Sequence, residues 1–144
     1  MRVDHEIFRS PHAGELTLEE RPMPVEYQLR TAEDLGETLA MWRVQTEGYT
    51  EGTDQLIGLV SQGKQYEDSP DAEWIAGGVN TKAIDAVALG RHGNWFHWGF
   101  AASPTYMTDE AKLVLVNALH YIARFDGQAP LVRVQRGVVT RSSL

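Results

Sequence analysis

Five residues in one short stretch, Arg91, His92, Asn94, Trp95 and His97, carry side chains able to do chemistry together. An aromatic plane beside Arg, Asn and His suits a small polar or sugar-like ligand, because apolar area and a few polar groups combine there. His97 is the candidate general acid or base, since an ordinary imidazole titrates near ~6.5. The competing reading makes Trp95 and His97 core or interface residues, with the imidazole bonded to a backbone carbonyl.

Other chemistries fall away. The chain has no cysteine, which excludes disulfides, thiolate metal sites and a cysteine nucleophile. Ser61, Ser69 and Ser103 lie in no G-x-S-x-G elbow. Neither a Walker loop nor G-x-G-x-x-G occurs, and Gly77-Gly78 with Lys82 reads as a glycine turn or bulge rather than a phosphate cradle. His92 and His97 are five apart, an odd spacing that on a strand sends them to opposite faces. No metal site and no cofactor is expected.

The elements that must position the five residues follow from pattern. Residues 86–100 read as two strands around a His92-Gly93 turn, pairing Arg91 with Asn94, Gly90 with Trp95, Leu89 with Phe96, Ala88 with His97 and Val87 with Trp98. Paired residues share a face. Val87, Leu89, Phe96, Trp98 and Phe100 form a core face; Ala86, Ala88, Gly90, Trp95, His97 and Gly99 form the other. Something must fill the space beside those small residues: a helix, a partner chain or a ligand.

Thr108 is placed to cap a long helix over about 108–125, with Asp109 and Glu110 in its first turn. Ala111, Val114, Leu115, Ala118, Tyr121, Ile122 and Phe125 cover its apolar arc. Leu113, Val116 and His120 lie opposite, with Asp109, Asn117 and Arg124, and the two aliphatics there suggest a subunit interface. Earlier in the chain, Leu16 and Leu18, then Val25, Tyr27 and Leu29, alternate as strands separated by Pro22 and Pro24. Thr31 is placed to cap a helix carrying Leu35, Leu39 and Trp42. A second helix is expected from Thr53 to about Gly63, a loop over 63–73, and a loop or distorted strand over 74–82. Residues 131–139 read as a final strand, in a tail whose charges, Arg133, Arg136 and Arg141, are all basic.

The stretch from about Ile75 to Pro130, with GRHGNWFHWGF, MTDEA and FDGQ, resembles a segment of uncharacterised bacterial proteins. It is also similar to the C-terminal strand–helix unit of the ThuA-like proteins, relatives of class I glutamine amidotransferases with a flavodoxin-like fold. The amidotransferase cysteine has no counterpart here, so the resemblance implies a bacterial protein and transfers no catalytic residue.

Composition bounds the rest. A chain of 144 residues with 42% apolar and 23% charged residues is globular. A net charge of −7 disfavours nucleic acid as a partner. No apolar run reaches the ~18 residues a membrane span needs. The start carries no export signal, making the cytoplasm the default location. The expectation is therefore one α+β domain over 1–144, a mainly antiparallel sheet with two to three helices packed on it, and 131–144 as an arm or frayed tail. The function expected is a non-enzymatic binding or assembly module, homo-oligomeric through Leu113 and Val116. The alternative is a small enzyme acting on a sugar-like or other polar metabolite, with His97 as acid or base.

Overall fold

The computed structural model describes residues 1–29, 34–46, 60–78, 84–135 and 138–141. In chain order the elements are β1 (Leu18–Pro22), α1 (Val25–Gln28), β2 (Thr38–Trp42), β3 (Ser61–Gln62), α2 (Lys64–Glu67), β4 (Ala72–Gly77), β5 (Ala86–His92), β6 (Trp95–Trp98), α3 (Asp109–Ala123), β7 (Val132–Gln135) and β8 (Val138–Arg141). Single 3-10 turns occupy Glu6–Phe8 and Pro104–Tyr106.

β5 is the strand around which the rest assembles. Its first five residues, all apolar or glycine, are buried. It pairs antiparallel with β4, with β6 and, at Ala86 and Val87, with β3. One sheet face is covered by α3 and the N-terminal 3-10 turn, giving a core of Ile7, Phe8, Ile75, Leu89, Val114 and Tyr121. A second cluster, Val44, Ala102, Met107 and Ala111, joins the start of α3 to the segment after β2. Trp42 links the two through edge-on contacts with Phe8 and Phe100. The architecture is α+β, a mainly antiparallel sheet with a helix packed against it.

α3 forms for the expected reasons. The Thr108 hydroxyl accepts a hydrogen bond from the Ala111 amide at 3.3 Å, satisfying a first-turn donor that has no partner within the helix. Ala111, Val114, Ala118 and Tyr121 are buried. Asn117 corrects the helical sorting: it is fully buried rather than on the wet arc. Its Nδ2 donates to the carbonyls of Ile7 (2.9 Å) and His12 (2.8 Å), and its Oδ1 accepts from the His12 amide (2.9 Å). A polar residue is buried here because backbone groups 105 and 110 residues away take both of its amide hydrogens and supply a donor to its oxygen.

The N-terminal half departs from its pattern. Val25–Gln28 is a helical turn, not a strand; Val25 and Leu29 are exposed, and the buried Tyr27 anchors the turn by donating its hydroxyl to the Gly78 carbonyl. Residues 31–33 of the expected first helix lie outside the described residues, while Leu39 and Trp42 stand on β2, where pairing with β1 overrides their helical spacing. Most of the second expected helix, 53–59, also lies outside them; its end, Ser61–Gln62, is strand. The expected polar loop 63–73 contains α2 and the start of β4, whose later register shifts fit a distorted strand. The final strand is a hairpin, β7 with β8, in a two-stranded sheet of its own. No helix among the described residues is long and apolar enough to cross a membrane.

Candidate functional site

The hairpin turn is Gly93-Asn94, one residue later than expected, so His92 pairs with Trp95, Arg91 with Phe96, Gly90 with His97 and Leu89 with Trp98. Gly93, at φ 54°, takes the left-handed conformation that the tight turn requires. Moving the turn by one residue slips the register by two. A two-residue slip preserves faces, so the core face keeps Val87, Leu89, Phe96 and Trp98 and gains Arg91. His92, Trp95 and His97 share the opposite face, in ranks with Ala72 and with Trp74 and Gly90. His92 and His97 are therefore not on opposite faces, because the turn reverses the alternation between them. The space over Gly90 is filled from within the chain: a Cβ there would meet the Tyr66 ring at 2.4 Å. Asn94 sits in the turn, with its Oδ1 buried and no hydrogen-bond partner among the described residues.

Two polar networks flank this hairpin. On the α3 side, Glu73 of β4 stands directly across from Arg91. Its Oε1 lies 3.3 Å from His5 Nε2 and accepts from Arg2 at 3.2 Å; its Oε2 accepts from the Tyr121 hydroxyl. Arg91 Nε donates to the Tyr121 oxygen at 3.1 Å, and its guanidinium lies 4.0 Å over the Phe125 ring. His5 Nδ1 accepts from the Ile7 amide at 3.3 Å, which leaves Nε2 to carry the proton donated to Glu73. Glu73 is held down at about 2, first by the hydrogen bond from His5, against the effect of burial, with Tyr121 and Arg91 adding to it. Tyr121 is pushed up to about 12 by burial and then by Glu73, with Arg91 acting the other way. A carboxylate this weakly basic and a phenol this weakly acidic do not exchange protons near neutrality. The network clamps α3 and the N-terminal segment to the sheet.

On the other side, Asp71 precedes β4 and meets the end of β5. His92 Nε2 lies 3.0 Å from Asp71 Oδ1 and 3.3 Å from Ser69 Oγ, and Ser69 donates to the same Asp71 oxygen at 2.6 Å. Asp71 Oδ2 accepts from the Leu131 amide at 2.8 Å. Arg91 Nη1 donates to the carbonyls of Asp71 and Gly93, and the Gly93 amide bonds the Asp71 carbonyl, so the turn is fixed against the loop. Burial raises the Asp71 pKa, but the Ser69 hydroxyl, the Leu131 amide and His92 outweigh it and bring it below its ordinary value. His92 is buried at 4% side-chain exposure, whereas Asp71 keeps 22% and opens the pair to solvent. Trp95, across from His92, is 48% exposed.

This arrangement is a carboxylate–imidazole pair and not a serine triad. In a triad the base bridges serine and carboxylate through its two nitrogens; here both approach Nε2. Asp71, held below its ordinary value, stays ionised at neutral pH and orients the ring. Ser69, Asp71, Glu73, His5 and Tyr121 are not among the site residues expected from the sequence, which sets Ser69 aside as a nucleophile and assigns Tyr121 to the apolar arc of α3. The one signal available was Asp71 and Glu73 leading into Trp74, which a strand assignment from residue 72 would have set beside the hairpin. Among the described residues no group of three or more metal-ligating side chains converges. An open depression of about 410 Å³ at the start of α3, lined by residues including Thr17, Arg43 and Glu110, shares no residue with either network. Both Glu110 oxygens are occupied there, by Trp42 Nε1 and the Thr17 amide. Comparison with protein-family models, with curated proteins and with solved structures finds no match to this chain.

Proposed function

We propose that the protein is a small enzyme that moves a proton on a polar, sugar-like metabolite, with His92 and Asp71 as its acid–base pair. The observation that supports this is the 3.0 Å approach of His92 Nε2 to an Asp71 carboxylate that remains partly open to solvent. Trp95, half exposed beside the pair, offers a ring face on which a sugar or similar ring would stack. His97, half-buried, shares this face with His92 and Trp95, and His92 is assigned the acid–base role on its 3.0 Å contact with Asp71.

The test is turnover of a panel of cyclic polar metabolites by the wild type, His92→Gln and His97→Gln. General acid–base catalysis contributes roughly 10²–10⁴ in rate, and His92→Gln is expected to lose an amount in that range. Full turnover by His92→Gln, or none by the wild type across the panel, contradicts the reading. An assembly role is the second reading, favoured by the exposed apolar row Leu113, Val116 and Leu119 on α3.

A further inference from the structure

Each oxygen of Asp71 is held by a neutral donor, and the two donors come from opposite directions along the chain. Ser69 donates its hydroxyl to Oδ1 at 2.6 Å, and the Leu131 amide donates to Oδ2 at 2.8 Å. The first contact is local. Ser69-Pro70-Asp71-Ala72 closes as a turn, with the Ala72 amide 3.1 Å from the Ser69 carbonyl, and Pro70 takes the second position, where its fixed φ suits a turn. The second contact crosses 60 positions, from the segment that follows α3. The main chain of Asp71 is fixed as well. Its carbonyl accepts from Arg91 Nη1 and from the Gly93 amide, both at 3.1 Å. Arg91 is braced in turn by α3, through the Tyr121 hydroxyl and the Phe125 ring.

The single Ser69 hydroxyl hydrogen goes to Asp71, so it does not also lie between Ser69 and His92. Ser69 Oγ and Asp71 Oδ1 therefore face His92 Nε2, at 3.3 and 3.0 Å, as two acceptors of one ring proton. In this arrangement Ser69 is not a nucleophile activated by His92. We infer that Ser69 and the Leu131 amide are the positioning groups of the acid–base pair: they pin the Asp71 carboxylate in the one orientation that meets the His92 ring, so the segment after α3 completes the site. A carboxylate that keeps 22% exposure would otherwise be able to turn toward water. Burial works against the charge on Asp71, and the Ser69 hydroxyl and the Leu131 amide are the two largest influences that outweigh it. Among the described residues, the ionisable groups that reach Asp71 are His92 at Oδ1 and Arg91 at the carbonyl. Where it concerns catalysis, this role rests on the acid–base reading of His92 and Asp71; the positions of the two donors do not.

Carboxyl-carbon NMR titration of Asp71 in the full chain tests it, with the wild type, Ser69→Ala, Leu131→Pro and Leu131→Ala. Leu131→Pro removes the amide hydrogen at an exposed position that already follows a proline, whereas Leu131→Ala changes the side chain and keeps the amide. The Asp71 midpoint is expected to move up, toward the ordinary carboxylate value, in Ser69→Ala and in Leu131→Pro. It is expected to move further in the double variant and to stay in place in Leu131→Ala. The His92 Nε2 resonance is expected to shift in the first two variants. The wild type supplies the answer if a variant misfolds: its Leu131 amide proton is expected to titrate with the Asp71 midpoint, and to lose that titration in Asp71→Asn. Turnover of the cyclic polar metabolites is expected to fall in kcat and not in KM for Ser69→Ala and Leu131→Pro, because positioning groups act through Asp71. Absence of turnover by the wild type counts against the acid–base reading alone, since the titrations need no substrate. An Asp71 midpoint unmoved in folded Ser69→Ala or folded Leu131→Pro overturns the inference, as does a Leu131 amide that ignores the Asp71 titration.

Discussion

Glu73 shows how one residue holds three parts of the chain together. It gathers His5 and Arg2 from the N-terminus, Tyr121 from α3 and Arg91 from the neighbouring strand. Because its folded pKa, about 2, lies below the ordinary 4.5, it stabilises the fold fully above pH 4.5 and loses that contribution as pH falls toward 2. Glu73→Gln is expected to cost about 2 kcal/mol at pH 7, the order of a hydrogen bond to a charged group, and to flatten the fall in stability between those two pH values. Urea unfolding at pH 7 and pH 3 checks both. Tyr121 works in the opposite sense: raised from 10 to about 12, it stabilises below pH 10 and loses that contribution as pH climbs through 12. Neither residue's partners were legible in the sequence. The Tyr121–Glu73 bond spans 48 positions, and no local spacing records a contact of that length.

At the scale of elements, the hairpin was the most readable part of the chain and shows why. Alternation alone determines which residues share a face, so the sorting of Leu89, Phe96 and Trp98 against Trp95 and His97 survives a misplaced turn. The turn itself depended on which glycine neighbour took the second position, and alternation does not record that. Gly93→Val is expected to prevent normal folding, because the left-handed φ and the crowding by Gln128 and Pro130 both exclude a branched side chain. A normal melting curve for that variant contradicts the turn. Gly90→Ala is expected to cost about 1–3 kcal/mol by driving a methyl into the Tyr66 ring. In a Tyr66→Ala background the same substitution should cost far less, and a double-mutant cycle measures the difference. The first half of the chain was poorly legible for the converse reason. Leu35, Leu39 and Trp42 have helical spacing, but Leu39 and Trp42 lie on β2, where pairing with β1 decides their conformation.

Across the whole molecule, the N-terminal segment is part of the core and not an appendage. Ile7 and Phe8, at 0% and 2% exposure, close the same cluster as Leu89 and Val114, and Asn117 ties down the Ile7 carbonyl and the backbone of His12. Phe8→Ala is therefore expected to cost about 4 kcal/mol, a large share of the 5–15 kcal/mol typical of a domain. Denaturant unfolding measures it, and a loss below about 1 kcal/mol contradicts the segment's place in the core. That docking brings His5 to Glu73, while the segment after α3 brings Leu131 to Asp71, so an early and a late part of the chain meet β4 and the loop before it, beside the hairpin. The composition made a globular α+β domain legible, but not this convergence.

Histidine side-chain NMR tests the pairing of His92 with Asp71 most directly, with no substrate needed. A proton is expected on His92 Nε2, in a downfield hydrogen-bonded resonance that moves in Asp71→Ala and stays in place in His97→Gln. A His92 ring protonated on Nδ1 alone, or one indifferent to Asp71→Ala, would remove the pair and the proposed chemistry with it.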